Sequence, residues 1–265
     1  MALQSSGQIT LNQIHIEAGG TSGTQAALND SDIRALIGKS SGAQSAFSDF
    51  YGASSSASVV GFAKVKDTTA DSDDYTGNVQ NLSIQNGDLL VMAYTARGGN
   101  SGNNVGTFEM YTGANAGGSQ TNISGSTAVK EHGGTITGII YATANGSYSS
   151  MKTEISASSN FNAMLLFAGV FRGVGSNSPD RTFTGGYGGT NQSITLSSLS
   201  PPGVVIAIGG RSTTSSSTVT FSGLDSYIND NNSQAGGAAG YKLNTATSFS
   251  GSNNYAWSIS AAHFT

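Results

Sequence analysis

The sequence predicts a mainly β protein, an antiparallel β-sandwich of jelly-roll type preceded by a small helical or irregular module. Three observations carry this. Beyond residue 58 the apolar residues gather into short runs. Gly, Ser, Thr and Asn separate those runs at intervals typical of sandwiches. The first fifty-odd residues instead carry helix-cap signals. With 265 residues the chain can bury a substantial core. Charged residues are only 10%, against about 25% in typical soluble proteins. The 37 glycines are roughly twice the usual share. The low charge and gathered apolar residues separate this composition from a disordered one.

The elements of the module follow in order. Thr10 and Gln13 have capping-box spacing, so Thr10-Leu11-Asn12-Gln13-Ile14 is expected to form one helical turn. Gly19 to Thr24 reads as a loop. Asn29 is the expected N-cap of a helix starting at Asp30, with Asp30 and Asp32 suited to the positive end of its dipole. Ile33, Leu36 and Ile37 fall at i, i+3 and i+4 and form one apolar stripe. Gly38 is placed to end the helix, and Lys39 follows near its negative end. Ser45 to Phe50 repeats the short signature of the first turn and is closed by Gly52. So small a module buries little by itself. Its expected docking surface is therefore the Ile33, Leu36 and Ile37 stripe with a Phe47, Phe50 and Tyr51 cluster. The predicted organisation is a module over 1–53, a Ser-rich linker over 54–58 and a β-sandwich over 59–265.

In the sandwich, Val59–Val65 reads as a strand. Asp88–Tyr94, Ala163–Phe171 and Gly203–Ile208 are nearly continuous apolar runs, as in strands buried on both faces or lying mid-sheet. Val105–Tyr111, Thr135–Tyr141, Ser193–Leu196, Val219–Phe221 and Tyr255–Ile259 read as further short strands.

Several function classes fall away. The net charge of −4 offers no basic field for nucleic acid. No apolar run reaches the length that a membrane-spanning helix needs. The N-terminus shows no secretion signal, so synthesis in a cytosol is expected. With no cysteine, disulfides, thiolate metal sites and Cys nucleophiles are excluded together. Gly38-Lys39-Ser40-Ser41-Gly42 has nucleophile-elbow spacing, but a helix precedes it where the elbow needs a strand. Ile33 stands where a phosphate-binding loop needs glycine. Asp67, Asp71, Asp73 and Asp74 lack calcium-loop spacing and read as a solvated loop. Glu109, Glu131 and Glu154 are candidate acids, but nothing in the sequence selects a pair of the kind that cleaves glycosides. His15, His132 and His263 show no metal spacing. The expectation is no catalytic residue, no cofactor and no metal.

Loops rich in Gly, Asn, Ser and Tyr carry a different suggestion, because these residues make adaptable recognition surfaces. The candidates are Arg97, Asn100, Asn103 and Asn104 after one core strand, Tyr187 and Asn191 after another, and Arg211 after Gly209-Gly210. The stretch Asn229 to Gly240 reads as a further long loop. The plain alternative is that all of these are turns, or contacts to other subunits.

Three segments together carry a resemblance: Ser6-Gly7-Gln8-Ile9-Thr10-Leu11-Asn12-Gln13-Ile14-His15-Ile16-Glu17-Ala18-Gly19-Gly20, Leu28-Asn29-Asp30-Ser31-Asp32-Ile33-Arg34, and Phe47-Ser48-Asp49-Phe50-Tyr51-Gly52. They resemble the N-terminal segment of many tailed-phage virion proteins. Tail-fibre and adhesin-type proteins are among them, including fibre-tip adhesins of some T-even-type phages. The resemblance covers about the first fifty residues. It implies a virion structural protein, which partners other virion proteins and further copies of itself. A trimer is the expected oligomer. A looser resemblance runs through Gly87-Asp88-Leu89-Leu90-Val91-Met92-Ala93, Phe167-Ala168-Gly169-Val170-Phe171-Arg172-Gly173-Val174 and Pro201-Pro202-Gly203-Val204-Val205-Ile206-Ala207. These are similar to a β-sandwich repeat of phage and bacterial surface proteins, with Ser178-Pro179-Asp180 at its Pro-Asp turn. The resulting expectation is a tail-associated protein that contacts a host surface glycan or outer-membrane protein. Two alternatives stand beside it: a decoration protein of the head, and a polysaccharide-degrading virion enzyme.

Overall fold

A computed structural model describes residues 3–264, apart from 19, 38, 40–41, 54–56, 69–71, 80–81, 98–104, 114–117, 133–134, 162, 175–176, 186–190, 197–202, 212–218, 232–235, 244–246 and 253–256. The N-terminal module holds helix α1 (Leu11–Glu17), helix α2 (Ser31–Ala35) and a 3-10 turn (Phe47–Phe50). The strands then follow as β1 (Ser58–Thr68), β2 (Ser72–Val79), β3 (Leu89–Arg97), β4 (Val105–Tyr111), β5 (Gln120–Ser124), β6 (Ser126–His132), β7 (Ile136–Thr143), β8 (Ser150–Phe161) and β9 (Ala163–Arg172). A second series continues with β10 (Pro179–Gly185), β11 (Asn191–Leu196), β12 (Val204–Arg211), β13 (Thr220–Ser222), β14 (Ser226–Asn231), β15 (Gly236–Leu243), β16 (Thr247–Ser252) and β17 (Trp257–Phe264).

The mainly β, antiparallel sandwich expected from the sequence is what the chain forms. It is, however, two sandwiches and not one jelly roll. The first pairs a sheet of order β1-β9-β3-β7-β6 with one of order β2-β8-β4-β5. The second pairs β10-β17-β12-β15-β14 with β11-β16-β13. The two orders coincide strand for strand. β1, β2, β3 and β4 correspond to β10, β11, β12 and β13, and β6 to β9 correspond to β14 to β17. Among the described strands, only β5 lacks a counterpart. The chain is therefore an internal structural duplication.

The two sandwiches stack back to back in four layers. Leu90, Met92, Ile140 and Leu166 on one face of the first inner sheet pack against Phe108, Met110, Met151 and Ile155 of its outer sheet. Leu89, Val91, Ile139, Leu165 and Phe167 on the opposite face pack against Val204, Ile206, Ile208, Ala262 and Phe264 of the second inner sheet. Val205, Ala207, Ile259 and Ala261 then face Val219 and Phe221. Each inner sheet is thus covered on both sides, so β3, β9 and β12 carry unbroken apolar runs and not an alternating pattern.

Several local expectations change. The helix after Leu28 begins at Ser31 with Asp30 as N-cap. Asp30 Oδ2 accepts the Ala27 N–H at 2.7 Å. Asn29, the expected cap, instead accepts from Arg34 Nη1 at 2.9 Å. The Gly38 stop lies outside the described residues. The expected loop from Asn229 to Gly240 is largely strand, the end of β14 and the first half of β15. Glycine suits it there because the strand is overlaid closely: a Cβ on Gly237 would stand 2.8 Å from the Gly209 carbonyl and 2.5 Å from Thr95. Gly209, Gly210 and Arg211 likewise belong to β12. Asp67 lies in β1, and Asp73 and Asp74 lie in β2, so they do not share one loop; Asp71 lies outside the described residues.

Candidate attachment and recognition ends

The module builds its own small core. Both copies of the short signature share one half of a capping box, a side chain three residues on that accepts from the N-cap N–H. In the first, Thr10 N–H donates to Gln13 Oε1 at 2.8 Å and Gln13 N–H to Thr10 Oγ1 at 3.2 Å. In the second, Ala46 N–H donates to Asp49 Oδ2 at 2.7 Å. In each copy the next residue, Ile14 or Phe50, is fully buried. These two meet Ile9 and Ile33, with Leu11, Leu36, Ile37 and Tyr51 packed around them. Buried Arg34 ties this core together, donating to Asn29 Oδ1 and to the Ala43 carbonyl at 3.0 Å.

This corrects the expected docking surface. Ile33 and Phe50 are interior and hold the module together, so a partner has no access to them. Leu36, Ile37 and Tyr51 are half-buried and line a cleft of about 1380 Å³ between the module and the first sandwich. Gln85, Asp88, Ile123 and Arg172 form its opposite wall. Phe47 alone of the six is exposed, at 41%. The cleft holds two ion pairs. Lys39 Nζ lies 2.6 Å from Asp49 Oδ2. That hydrogen bond, with the one from Ala46, holds the Asp49 carboxyl below the usual carboxylate range. Arg172 makes a fork to Asp88 at 2.9 and 2.8 Å, and Asp88 is almost wholly buried.

The strand registers set the opposite end. Thr68 pairs with Met164, Arg97 with Ala163, and Ala96 with Ile136, so β1, β3, β7 and β9 have these ends together. Gly185 pairs with Ile259, Arg211 with Trp257 and Gly236, and Asn231 with Gly236 in the second inner sheet. Thr137 Oγ1 lies 2.9 Å from Ser260 Oγ across the interface, which puts both sets of ends on the same side of the stack. The module joins β1 at its other end, Ser58, beside Arg172. A nine-residue strand such as β3 spans about 30 Å, and that is the separation between the two ends.

The far end is thus where the glycine-rich candidates leave the scaffold. Arg97 ends β3 and is half-buried. Asn100, Asn103, Asn104 and Tyr187 lie outside the described residues. Asn191 opens β11, with its side chain outside the described residues. Arg211 is completely buried, which corrects its reading as a surface contact. Its guanidinium lies where a Cβ on Gly236 would otherwise stand. Beneath this end the interface turns polar. Thr95, Thr135, Thr137, Ser258 and Ser260 are all buried there, with Thr135 Oγ1 donating to the Ala96 carbonyl at 2.6 Å.

A third cluster was not selected by the sequence. Glu109 and Lys152 are cross-strand partners on β4 and β8. Alternation places them with Tyr111 and Glu154 on the outer face of the first sandwich. Lys152 Nζ lies 3.0 and 3.1 Å from the two Glu109 oxygens, and Tyr111 donates to Oε2 at 2.6 Å. Burial pushes the Glu109 carboxyl up, but the bonds from Tyr111 and Lys152, with neighbouring Glu154, outweigh it and hold it low. The Tyr111 phenol is pushed up to about 12, first by its bond to Glu109. A carboxylate held ionised and fully bonded is not poised as a general acid. The signal in the sequence was the two-residue spacing of Glu109 with Tyr111 and of Lys152 with Glu154, readable only once β4 and β8 are known to pair. Glu131 and His132 have side chains outside the described residues. Buried His15 bonds to Thr24 Oγ1 at 2.8 Å, and buried His263 to Asp180 at 2.5 Å. Among the described residues no three His, Cys, Asp or Glu side chains converge as metal ligands. No helix there is long and apolar enough to cross a membrane.

No family model and no curated protein matches the chain. Among solved structures, it is similar to the N-terminal CBM22-1-CBM22-2 tandem domain of Xyn10C from Paenibacillus barcinonensis. The identity is 8% and the TM-score 0.27, over 79% of this chain and 98% of that one. It is also similar to the oxalate decarboxylase formate complex of Lactobacillus farciminis, at 7% identity and a TM-score of 0.22, over 77% of this chain and 85% of that one. At these scores neither neighbour carries an argument about this chain.

Proposed function

We propose that this chain is a virion structural protein of a tailed phage, tail-associated, that attaches through its N-terminal module and contributes to host-surface contact. The observation that carries this reading is the separation of the two ends. The module whose sequence resembles phage tail-fibre and adhesin segments sits at one end of the stack. The strand ends that bear the Gly-, Asn- and Tyr-rich segments gather at the other, about 30 Å away. A rigid scaffold that presents recognition segments away from its anchor is what a particle-borne adhesin needs. Multiple copies on one particle would add avidity to weak individual contacts. The partners in this reading are other virion proteins, further copies of the chain, and a glycan or protein of the host surface. No catalytic step is part of it.

Immunogold labelling of intact particles, with antibody to residues 59–265, tests the reading. Label at the tail, together with loss of adsorption when the antibody is present, is the expected result. Label spread over the heads with adsorption intact overturns it and makes the chain a head decoration protein.

A further inference from the structure

An antiparallel sheet ends in a row of unpaired N–H and C=O groups that can pair with another chain, and proteins guard such edges with charge, proline, bulges or shortness. Six of the eight edge strands among the described residues carry one of these guards, read from sequence and register. β1 carries Lys64 and Lys66 and two register shifts. β2 carries Asp73 and Asp74 and one shift, and β6 carries Lys130 and one shift. β10 opens with Pro179 and carries Asp180 and Arg181. β14 carries Asp230, ion-paired to Lys64, and β13 has only three residues. β11 is uncharged and regular, but its side chains lie outside the described residues.

β5 is the exception that is fully described. Gln120-Thr121-Asn122-Ile123-Ser124 has no charge, no proline and no bulge along its pairing with β4. It is also the strand with no counterpart among the described residues of the second sandwich. Gln120, Asn122 and Ser124 are exposed, while Thr121 and Ile123 turn inward. Ile123 and Ser124 border the cleft, facing the module across it, and Ser124 is exposed.

We infer that β5 is a self-association edge, pairing antiparallel with β5 of a second copy about a two-fold axis near Asn122. The sequence is self-complementary in that arrangement. Gln120 meets the partner copy's strand at its Ser124 position, Thr121 meets the Ile123 position, and the two Asn122 side chains face each other. No like charges meet, and the inward residues pair apolar with β-branched. A two-fold contact uses one patch on both copies and closes on itself. The paired outer sheets become one continuous sheet of eight strands, twice the four of one copy. This contact is independent of the host-attachment reading.

Sedimentation velocity over a concentration series of the full chain tests it. Wild type is expected to pass reversibly from monomer to dimer. Asn122→Lys sets two ammonium groups on cross-strand neighbours, whose Cβ atoms stand about 5 Å apart, and is expected to weaken the dimer at least about tenfold. Asn122→Asp alone does the same, and mixing the two variants restores a 1:1 dimer. Asn122 is exposed, so both variants keep the wild-type melting temperature. Ser124→Lys, also exposed, is the second variant if Asn122→Lys melts early. A wild type that stays monomeric, a closed trimer as the only assembly, or a dimer that persists in Asn122→Lys and Ser124→Lys overturns the inference.

Discussion

Thr137 Oγ1 and Ser260 Oγ, 123 residues apart in sequence, hydrogen-bond at 2.9 Å in the interface between the two sandwiches. Both residues are completely buried. Ser260 Oγ also lies 3.4 Å from the Thr137 carbonyl. The bond joins strands that do not correspond, because β17 is to the second sandwich what β9 is to the first, and β7 lies two strands beyond β9 in the first inner sheet. It sits in a buried cluster with Thr95, Thr135 and Ser258, so a lost partner is not replaced by bulk water. Ser260→Ala is expected to cost about 1–3 kcal/mol. Because the interface is shared, both sandwiches should unfold in one transition. Calorimetry on the variant checks this: two separated transitions would show that the sandwiches unfold independently.

Gly210 lies under Thr95, on the facing inner sheet. A Cβ at Gly210 would stand 1.7 Å from Thr95 Oγ1 and 2.7 Å from its Cβ. Gly210→Ala is therefore expected to destabilise by about 1–3 kcal/mol, the usual cost of overpacking. Thr95→Ala in the same chain should recover part of that loss. Thermal melts of the single and double variants measure the coupling.

In the module, Phe50 and Phe47 stand three residues apart with opposite fates. Phe50 is fully buried with Ile14 and Ile33, and Phe47 is exposed. Phe50→Ala and Ile33→Ala are each expected to cost about 3 kcal/mol or more, enough to unfold so small a unit. Phe47→Ala should leave it folded. Proteolysis of residues 1–53 should therefore be rapid in the first two variants and unchanged in the third. If all three behave alike, the module has no core of its own.

The Tyr111 and Glu109 pair gives a pH prediction with a defined sign. Tyr111 is pushed up to about 12 by its bond to Glu109. A group whose folded pKa is raised lends stability below its unfolded value, near 10, and loses it as pH rises through about 12. Ultraviolet titration should show one tyrosine ionising late, and Glu109→Gln should move it down. Glu109 is held low, so its contribution is present above the ordinary glutamate range and is lost as pH falls through its lowered value. Urea midpoints of Glu109→Gln and wild type should converge in acid. Equal pH dependence for both proteins would rule the pair out as a source of it.

The strands legible in the sequence were those whose burial leaves a composition signal. β3, β9 and β12 lie in inner sheets covered on both faces, and their apolar runs stand out without any knowledge of neighbours. The capping box at Thr10 and Gln13 was legible for a local reason, since both partners sit in one turn. Strands such as β8, β14 and β15 escaped notice. Their residues are polar on the outward side, or are Gly and Ala packed where a larger side chain has no room, and short sequence windows cannot register that. Tyr187 and Asn100 were picked by composition, and the registers place the strand ends that flank them at the end remote from the module.

The sequence by itself determined the class: mainly β, low in charge, with a capped module ahead of it, because periodicity, turn residues and caps are properties of neighbours in the chain. The tertiary structure decided everything that depends on residues far apart in sequence. It turned one expected sandwich into two copies of one topology, because only strand pairing reveals that the orders match. It moved Ile33, Phe50 and Arg211 from the surface to the interior, because an apolar stripe or an arginine after glycines carries no mark of what will cover it. It also brought Glu109, Tyr111 and Lys152 together, since the pairing of β4 with β8 is fixed by the shape of the sheet and the burial of Phe108 and Met151 beneath it.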